Sequence, residues 1–202
     1  MILKGFAAGC CIGIGTVTYL LISNKLLGAF LFALGLFLIC NYKLKLCTGM
    51  AGYLACKNNV IPKGILWATV GNILGAVTMF FLLTTWNPNI RDLASDVLAK
   101  KLSTPVASLF LSAVMCGVLI FFAVDLHNKN SEALFKALGI FLAVPCFIIN
   151  GFDHCVVTVF YISSASSWDQ LFKSVVVLFI VMSGNFIGSM LTYCLVNKNG
   201  GN

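Results

Sequence analysis

The stretch VPCFIINGFDHC, residues 144–155, decides how the chain folds, because it places ionisable residues inside an apolar segment. That segment extends from about residue 133 to residue 161. Ionisable residues in membrane helices usually face a cavity or a pathway rather than lipid. Pro145 and Gly151 both weaken a continuous helix, and broken backbone persists at membrane depth only where protein or a water-filled cavity satisfies it. The stretch therefore predicts a discontinuous membrane helix that carries a functional histidine, His154.

The composition of the chain indicates an integral membrane protein. Of 202 residues, 60% are hydrophobic and 9% are charged, whereas about a quarter of the residues in a soluble domain are charged. A membrane-spanning helix needs roughly 20 apolar residues, so the length leaves room for about six spans. The nine cysteines lie in apolar runs without metal-type spacing, and we expect them to behave as small hydrophobic residues rather than as a disulfide framework.

Six apolar runs predict six spans. Their approximate bounds are residues 5–23, 26–40 with a short continuation at 50–56, 65–86, 105–124, 133–161 and 171–196. The second run stops at NYKLKLCTG, residues 41–49, and the short continuation cannot cross a bilayer alone, so we expect an interrupted second span. No small-residue cleavage site follows the first run, which is therefore a helix rather than a signal peptide. Gly9, Gly13 and Gly15 are expected to let a neighbouring helix approach closely.

The chain contains two matching halves. The third and sixth runs both carry a Gly-Asn-x-x-Gly motif, starting at Gly71 and Gly184, and the second and fifth runs are both interrupted. Three spans per half require opposite orientations in the membrane, and paired broken helices point to a site near the bilayer midplane. The motifs could also be small-residue packing faces. The prediction is one all-α transmembrane domain over residues 1–202, an inverted 3+3 repeat with helices 2 and 5 broken: a first repeat at about 1–86, a polar loop as linker at 87–104 and a second repeat at about 105–202.

Loop charge favours an orientation with both termini in the cytoplasm. In that orientation the cytoplasmic side holds one more positive residue than the other side, the direction in which the positive-inside rule points. The two sets are Lys4, Lys57, Lys63, Lys129, Lys136 and Lys198 inside, and Lys25, Arg91, Lys100, Lys101 and Lys173 outside.

Five motifs in this order resemble those of the formate/nitrite transporter family, and the resemblance covers nearly the whole chain. Residues 46–49 (Leu-Cys-Thr-Gly) are similar to the family's Leu-Phe-Thr-Gly, and residues 151–155 (Gly-Phe-Asp-His-Cys) to its Gly-Phe/Tyr-Glu-His-Ser. Lys101, followed by Pro105, matches the family's pore lysine, and the two Gly-Asn-x-x-Gly motifs stand in the right places. The resemblance implies an aquaporin-like fold, assembled as a homo-pentamer with one pore per protomer, that passes small monovalent anions such as formate, nitrite or hydrosulfide.

The resemblance also assigns roles to individual residues. It implies that Thr48, Lys101 and His154 line the pore, and that Asp153 stands for the family glutamate that orients the histidine. Leu36 falls at the cytoplasmic hydrophobic constriction and Phe147 at the other one. The chain departs from the family pattern at five positions: Asp153 replaces glutamate, Gly117 and Thr158 replace asparagines, and Lys43 and Lys45 stand where many members have small or acidic residues. Because the first span begins so early, we expect no amino-terminal gating helix.

These roles suggest how an anion could cross. A bare anion in a low-dielectric passage faces an idealised cost of order 20 kcal/mol. The positive charge of Lys101 would concentrate anions at the vestibule, and His154, which changes charge near neutral pH, would protonate them between the two constrictions. Thr48 would donate a hydrogen bond to the permeant atom opposite the histidine.

Structural alternatives remain open for each of these residues. His154 could cap the broken helix, and Thr48 could cap a short helix that begins at Gly49. Lys101 could be an interfacial lysine that reaches toward water. Leu36 and Phe147 alone look like packing residues, and Lys43 and Lys45 could bind lipid or add to the field that attracts anions. A metal site at residues 153–155 is disfavoured, since consecutive side chains point in different directions.

The leading function is a channel or proton-coupled transporter for small monovalent anions of the formate and nitrite class, with hydrosulfide as the alternative within that class. A neutral-solute pore of the aquaporin type is disfavoured, because its paired Asn-Pro-Ala signature is absent. A membrane enzyme is disfavoured, because no nucleophile–base pair accompanies the one intramembrane histidine. We expect no cofactor and no nucleic-acid partner. The expected partners are the anion, the lipid bilayer and further copies of the chain in a multi-pass arrangement, in the plasma membrane of a bacterium.

Overall fold

A computed structural model describes residues 1–55 and 64–197 of the chain. These residues form α-helices throughout and contain no strand, in agreement with the predicted all-α class. The helices are α1 (Ile2–Leu21), α2 (Lys25–Asn41), α3 (Cys47–Ala51), α4 (Ile65–Trp86), α5 (Asn89–Leu102), α6 (Val106–Lys129), α7 (Ala133–Ile149), α8 (Cys155–Ile162) and α9 (Trp168–Asn197), with a 3-10 turn at Gly52–Ala55. Cys56, at the end of the short piece predicted at 50–56, and Lys57, Lys63 and Lys198 of the orientation argument lie outside the described residues.

Four of the helices are long and apolar enough to cross a membrane: α1, α4, α6 and α9, with 20, 22, 24 and 30 residues. Helices α2 and α7 are also apolar but have 17 residues each. At a rise of 1.5 Å per residue they reach about 25 Å, less than the roughly 30 Å of a hydrocarbon core. Each is followed by a non-helical segment and then by a shorter helix, α3 or α8, so the second and fifth apolar runs are interrupted as predicted.

The two interruptions have the same backbone turn. After α2, Leu44 N–H donates to the Ile39 carbonyl at 2.9 Å, and Lys43 has a positive φ of 52°. After α7, Phe152 N–H donates to the Phe147 carbonyl at 2.9 Å, and Gly151 has a φ of 69°. A left-handed residue followed by a bond that spans the last turn is the Schellman ending of a helix. We call the segments 42–46 and 150–154 the first and second break.

Pro145 does not contribute to the second break in the way the sequence suggested. It lies inside α7, which continues to Ile149, so the expectation that Pro145 helps to interrupt the helix is wrong. A proline removes one helical hydrogen bond, but the helix can continue past it with a local distortion. The turn at Gly151 is what ends the helix.

The segment predicted as a polar loop, residues 87–104, is mostly the helix α5. Ile90, Ala94 and Leu98 recur at every fourth position and are fully buried. A stripe with this spacing is one face of a helix packed against the core, and it was obscured by the charged residues between its members. The loop prediction is therefore wrong over residues 89–102.

Small residues bring the long helices together in two pairs. A Cβ atom added at Gly75 of α4 would lie 2.1 Å from the Phe6 carbonyl oxygen of α1, and one added at Gly188 of α9 would lie 2.1 Å from the Val114 carbonyl oxygen of α6. No side chain fits at such distances, so both Gly-Asn-x-x-Gly motifs serve as packing faces. In α1 the three expected glycines also leave no free room for a Cβ, which would meet other atoms at 2.3, 2.6 and 3.0 Å at Gly9, Gly13 and Gly15.

Candidate functional site

The two breaks bring Thr48 and His154 together in the middle of the fold. Thr48 is the second residue of α3, and His154 immediately precedes α8. Their side chains meet with Thr48 Oγ1 and His154 Nε2 3.0 Å apart, and both residues are buried. The imidazole also stacks on Phe147, with ring centroids 6.2 Å apart and an interplanar angle of 26°. The histidine therefore faces protein groups from the opposite break rather than the outer surface of the helices.

The asparagine of the first Gly-Asn motif holds the start of α3. Asn72 Oδ1 accepts a hydrogen bond from the Cys47 backbone N–H at 2.8 Å, and Asn72 Nδ2 donates to the carbonyls of Gly5 and Lys45, each at 2.8 Å. The first amide of a helix has no partner within the helix itself. Asn72 satisfies it from a neighbouring helix and fixes the first break at the same time.

The asparagine of the second motif does the same for α8. Asn185 Oδ1 accepts from the Cys155 backbone N–H at 2.8 Å, and Asn185 Nδ2 donates to the carbonyls of Ala113 at 2.8 Å and Asp153 at 2.7 Å. The sequence singled out both motifs but not this capping role. The available signal was a fully buried amide in an apolar helix, because buried polar groups are almost always hydrogen-bonded.

These caps resolve two of the alternatives that the sequence left open. Helix α3 begins at Cys47 rather than at Gly49, so Thr48 lies inside it and is not its N-cap. His154 occupies the N-cap position of α8, but its side chain makes no capping hydrogen bond. Since Asn72 and Asn185 supply the caps, the side chains of Thr48 and His154 remain available to each other.

Asp153 binds Lys101 rather than the histidine beside it. Its carboxylate accepts a hydrogen bond from the Lys101 ammonium on one oxygen and from the Ser112 hydroxyl on the other. The Lys101 ammonium also lies 5.8 Å from the centre of the Tyr161 ring. The histidine's Nδ1 atom is buried and has no hydrogen-bond partner within residues 1–55 and 64–197. The orienting contact that the family resemblance implied for Asp153 is thus absent from this part of the chain, because the short carboxylate is held by the ammonium and the hydroxyl.

Two cavities lie at opposite ends of α6. The first, about 380 Å³, is lined by Lys101, Ser112, Phe147 and His154, among others. The second, about 530 Å³, is lined by the first break and by residues near the end of α6, including Val124. Along α6 the cavities are separated by roughly 18 Å. We call them the histidine cavity and the lysine cavity, the second because Lys43 and Lys45 line it.

The two residues expected at the constrictions are both buried, but only one lines a cavity. Phe147 is 2% exposed, lines the histidine cavity and contacts Phe32 edge to face at 6.1 Å. Leu36 is 1% exposed and lies in the packed face of α2, where it lines neither of the two cavities. Within the described residues, no group of three or more histidine, cysteine or acidic side chains is placed to hold a metal ion.

Comparison with known proteins gives the family. The family model described as formate/nitrite transporter matches residues 1–198. The chain belongs to the formate/nitrite transporter family. Membership makes it a multi-pass membrane transport protein of a family that handles small anions, and the resemblance seen in its motifs is confirmed.

Solved structures of this fold are similar over nearly the whole chain. An FNT family ion channel superposes with a TM-score of 0.80 at 21% identity, covering 100% of this chain and 88% of that one. A pentameric formate channel with formate bound superposes with a TM-score of 0.76 at 21% identity, covering 98% and 93%. Among curated proteins, the uncharacterized transporter YrhG of Bacillus subtilis (strain 168) is 28% identical over 191 residues, 86% of this chain and 70% of the relative. The uncharacterized transporter YwcJ of the same organism is 26% identical over 99 residues, 45% and 38%.

The structure explains one departure of this family member from the family pattern. A Cβ atom at Gly117 would lie 2.1 Å from the Asn185 carbonyl oxygen, so the expected asparagine has no room between α6 and α9. Thr158, at the other departure, donates its hydroxyl hydrogen bond to the His154 carbonyl at 3.0 Å. Ser112, which the sequence gave no reason to single out, is a further polar residue of the histidine cavity.

Proposed function

We propose that the chain forms a pore for small monovalent anions of the formate and nitrite class and that His154 protonates the anion on its way through. The observation that carries this proposal is the buried pair of Thr48 and His154, whose ring nitrogen Nε2 meets the hydroxyl at 3.0 Å while Nδ1 has no partner among the described residues. Phe147 and Leu36 are proposed as the apolar constrictions on either side of this pair.

The proposed architecture is an inverted repeat of six transmembrane segments. The first repeat, about 1–86, consists of α1, the broken pair α2–α3 and α4, and the second, about 105–202, of α6, the broken pair α7–α8 and α9. The matching turns and asparagine caps of the two breaks support this assignment, and α5 lies in the linker between the repeats. We further propose an aquaporin-like homo-pentamer, which one of the similar structures forms, in a bacterial plasma membrane with both termini in the cytoplasm.

Anion and proton reach the site together in this proposal. An unpaired imidazolium in a dry site is costly, and the carboxylate nearest in sequence, Asp153, is bound to Lys101 and Ser112. The arriving anion supplies the missing negative charge, so the ring is charged only while the anion is beside it. Proton transfer from the ring then leaves two neutral species, and a neutral acid crosses the apolar constriction at far lower cost than an anion. Beyond the constriction the anion leaves either with its proton or after returning the proton to the ring, and the second route carries net charge.

Thr48 prepares the histidine for this role. The hydroxyl can donate to or accept from Nε2, whichever tautomer the ring adopts. Because this contact occupies Nε2, the other ring nitrogen remains for the permeant molecule. Lys101, although paired, lies at the same cavity and keeps its ammonium within reach of an entering anion.

Flux measurements in proteoliposomes test the proposal. We expect the wild-type chain to carry formate and nitrite faster at lower pH, with hydrosulfide and chloride measured alongside to separate the members of the class. His154→Ala should lower formate flux by at least about tenfold and remove its pH dependence, since histidine is the side chain whose charge ordinarily changes near neutral pH. The matched control is His127→Ala, which changes the chain's other histidine at the far end of α6.

Two results would contradict the proposal. Formate flux that is unchanged by His154→Ala at every pH would remove the histidine from the mechanism. Swelling in glycerol without any anion flux would instead indicate a neutral-solute pore.

A further inference from the structure

The lysine cavity differs from the histidine cavity in how its positive charges are compensated. Lys43 and Lys45 line it together with Tyr53 and Asn128, and among the described residues that line it none carries a carboxylate. In the histidine cavity, by contrast, Asp153 lines the wall and forms an ion pair with Lys101. The lysine cavity is therefore the more positive of the two.

The acidic residue on this part of α6 is already bound. Asp125 is 6% exposed; one of its oxygens accepts from the Tyr53 hydroxyl at 3.1 Å, and the other lies 2.9 Å from the Lys129 ammonium. A carboxylate held in this way is neutralised by Lys129, and Asp125 is not among the residues that line the cavity. Neither Lys43 nor Lys45 has an ion-pair partner within residues 1–55 and 64–197.

Lys43 occupies a backbone position that favours glycine. Its φ of 52° is the only positive value at a non-glycine residue in the described chain, and the matched residue of the second break is Gly151. A left-handed conformation is strained at a residue that carries a Cβ. A lysine at such a position does not stabilise the turn. Backbone strain of this kind is typical of functional sites.

Lys45 stands on a backbone that is held on both sides. Its N–H donates to the Lys4 carbonyl at 3.3 Å, and its carbonyl accepts from Asn72 at 2.8 Å. The backbone that carries Lys45 is thus a fixed part of the first break, two residues from Lys43 and three from Thr48.

We propose that Lys43 and Lys45 form a second anion-binding site, which draws monovalent anions into the lysine cavity and makes entrance from this side faster than from the Lys101 side. The inference rests on the proposed function and assigns it a preferred direction. An anionic lipid headgroup is the other ligand with the chemistry to bind two ammonium groups.

Single-channel recording in planar bilayers with equal formate on both sides tests this inference. We expect the wild-type current to rectify, and Lys43→Gln with Lys45→Gln to lower the larger current about threefold at low salt, with the difference vanishing near 1 M salt because the charges are screened. Lys43→Arg should keep the rectification. Lys100→Gln, which removes a lysine that lines the histidine cavity, should make the rectification stronger.

In the same assay, Lys43→Gly distinguishes loss of the lysine charge from damage to the fold. It relieves the left-handed strain, so its unfolding temperature should be no lower than that of the wild type, while its rectification should fall. Rectification that survives in both Lys43→Gly and the double variant would overturn the inference. The proposed function would stand, because the anion flux would be intact.

Recordings in neutral and anionic bilayers distinguish binding of lipid headgroups from binding of the permeating anion. Recordings in neutral phosphatidylcholine bilayers should show the same effect of the two lysines as recordings in bilayers with phosphatidylglycerol. An effect confined to the anionic bilayer would show that the lysines bind headgroups, which overturns the inference. A wild-type chain without formate current in either bilayer would overturn the inference, and one without formate flux in proteoliposomes would overturn the proposed function as well.

Discussion

The two helix breaks share their backbone and differ in their side chains. Each begins with the same turn, through a left-handed residue, and each ends at a short helix whose first amide is held by an asparagine from a distant helix, Asn72 or Asn185. Both asparagines also bind the carbonyl of the residue two positions before the short helix, Lys45 in one break and Asp153 in the other. The backbone turn and the hydrogen bonds from the asparagine are therefore the same in both breaks.

Equivalent positions of the two breaks carry different side chains. Lys45 corresponds to Asp153, Leu46 to His154, and Thr48 to Val156. The first break and the helix after it therefore supply a positive charge and a hydroxyl, whereas the second break supplies a negative charge and an imidazole. The comparison shows that the asparagines and the turns build the two breaks, while the polar groups that meet between them come from positions at which the two halves differ. Each of the following predictions tests one side of that distinction.

The largest effect should follow from removing a shared cap. Asn72→Leu and Asn185→Leu should each lower the free energy of unfolding by about 3 kcal/mol, because the first amide of the short helix and the carbonyl two positions before it lose their asparagine partner and each unsatisfied group costs roughly 1–3 kcal/mol. Thermal unfolding in detergent measures the change. Asn150→Leu is the control, since this exposed amide of the second break binds only the Cys146 carbonyl and sulfur of its own helix. A chain that tolerates one of the two substitutions would show that the breaks are not equivalent.

An intermediate effect should follow from exchanging an unshared residue. Thr48→Val keeps the shape but removes the hydroxyl bound to His154, and formate flux should fall about tenfold, equivalent to ~1.4 kcal/mol. Val156→Thr adds a hydroxyl at the corresponding position of α8 and should change flux less than about twofold. Flux in proteoliposomes at equal protein content measures both. Wild-type flux in Thr48→Val would remove the hydroxyl from the mechanism.

The smallest effect concerns the ion pair that only the second break has. Lys101→Met and Asp153→Asn should each destabilise the chain, and the double variant should be more stable than the two single effects predict, by about 1 kcal/mol, because a single change leaves a charge without its partner. The exposed pair of Lys173 and Asp169 provides the control, for which a double-variant cycle should give no measurable coupling. Additive effects at Lys101 and Asp153 would show that their contact does not contribute to stability.

Several features could be predicted from the sequence because they depend on local composition. Long apolar runs require a membrane, the ionisable pair at residues 153–154 requires a cavity, and the Gly-Asn-x-x-Gly motifs require close packing of helices. These inferences hold whatever the neighbours are, since lipid excludes unsatisfied polar groups regardless of fold. The family also followed from its motifs, which stand in order along the chain.

Other features depend on contacts between residues far apart in the chain, which one sequence does not contain. Asn72 and Asn185 cap helices that begin 25 and 30 residues earlier in the chain, so the sequence could not show that Thr48 and His154 are free of that role. The apolar stripe of α5 could be recognised as buried only from the core on which it packs. Asp153 could be expected to bind its neighbour His154, but the positions of Lys101 and Ser112 give it stronger partners. Sequence alone thus determined the membrane, the two breaks and the family, whereas the tertiary structure decided which polar groups meet, because a hydrogen bond depends on distances that only the folded chain sets.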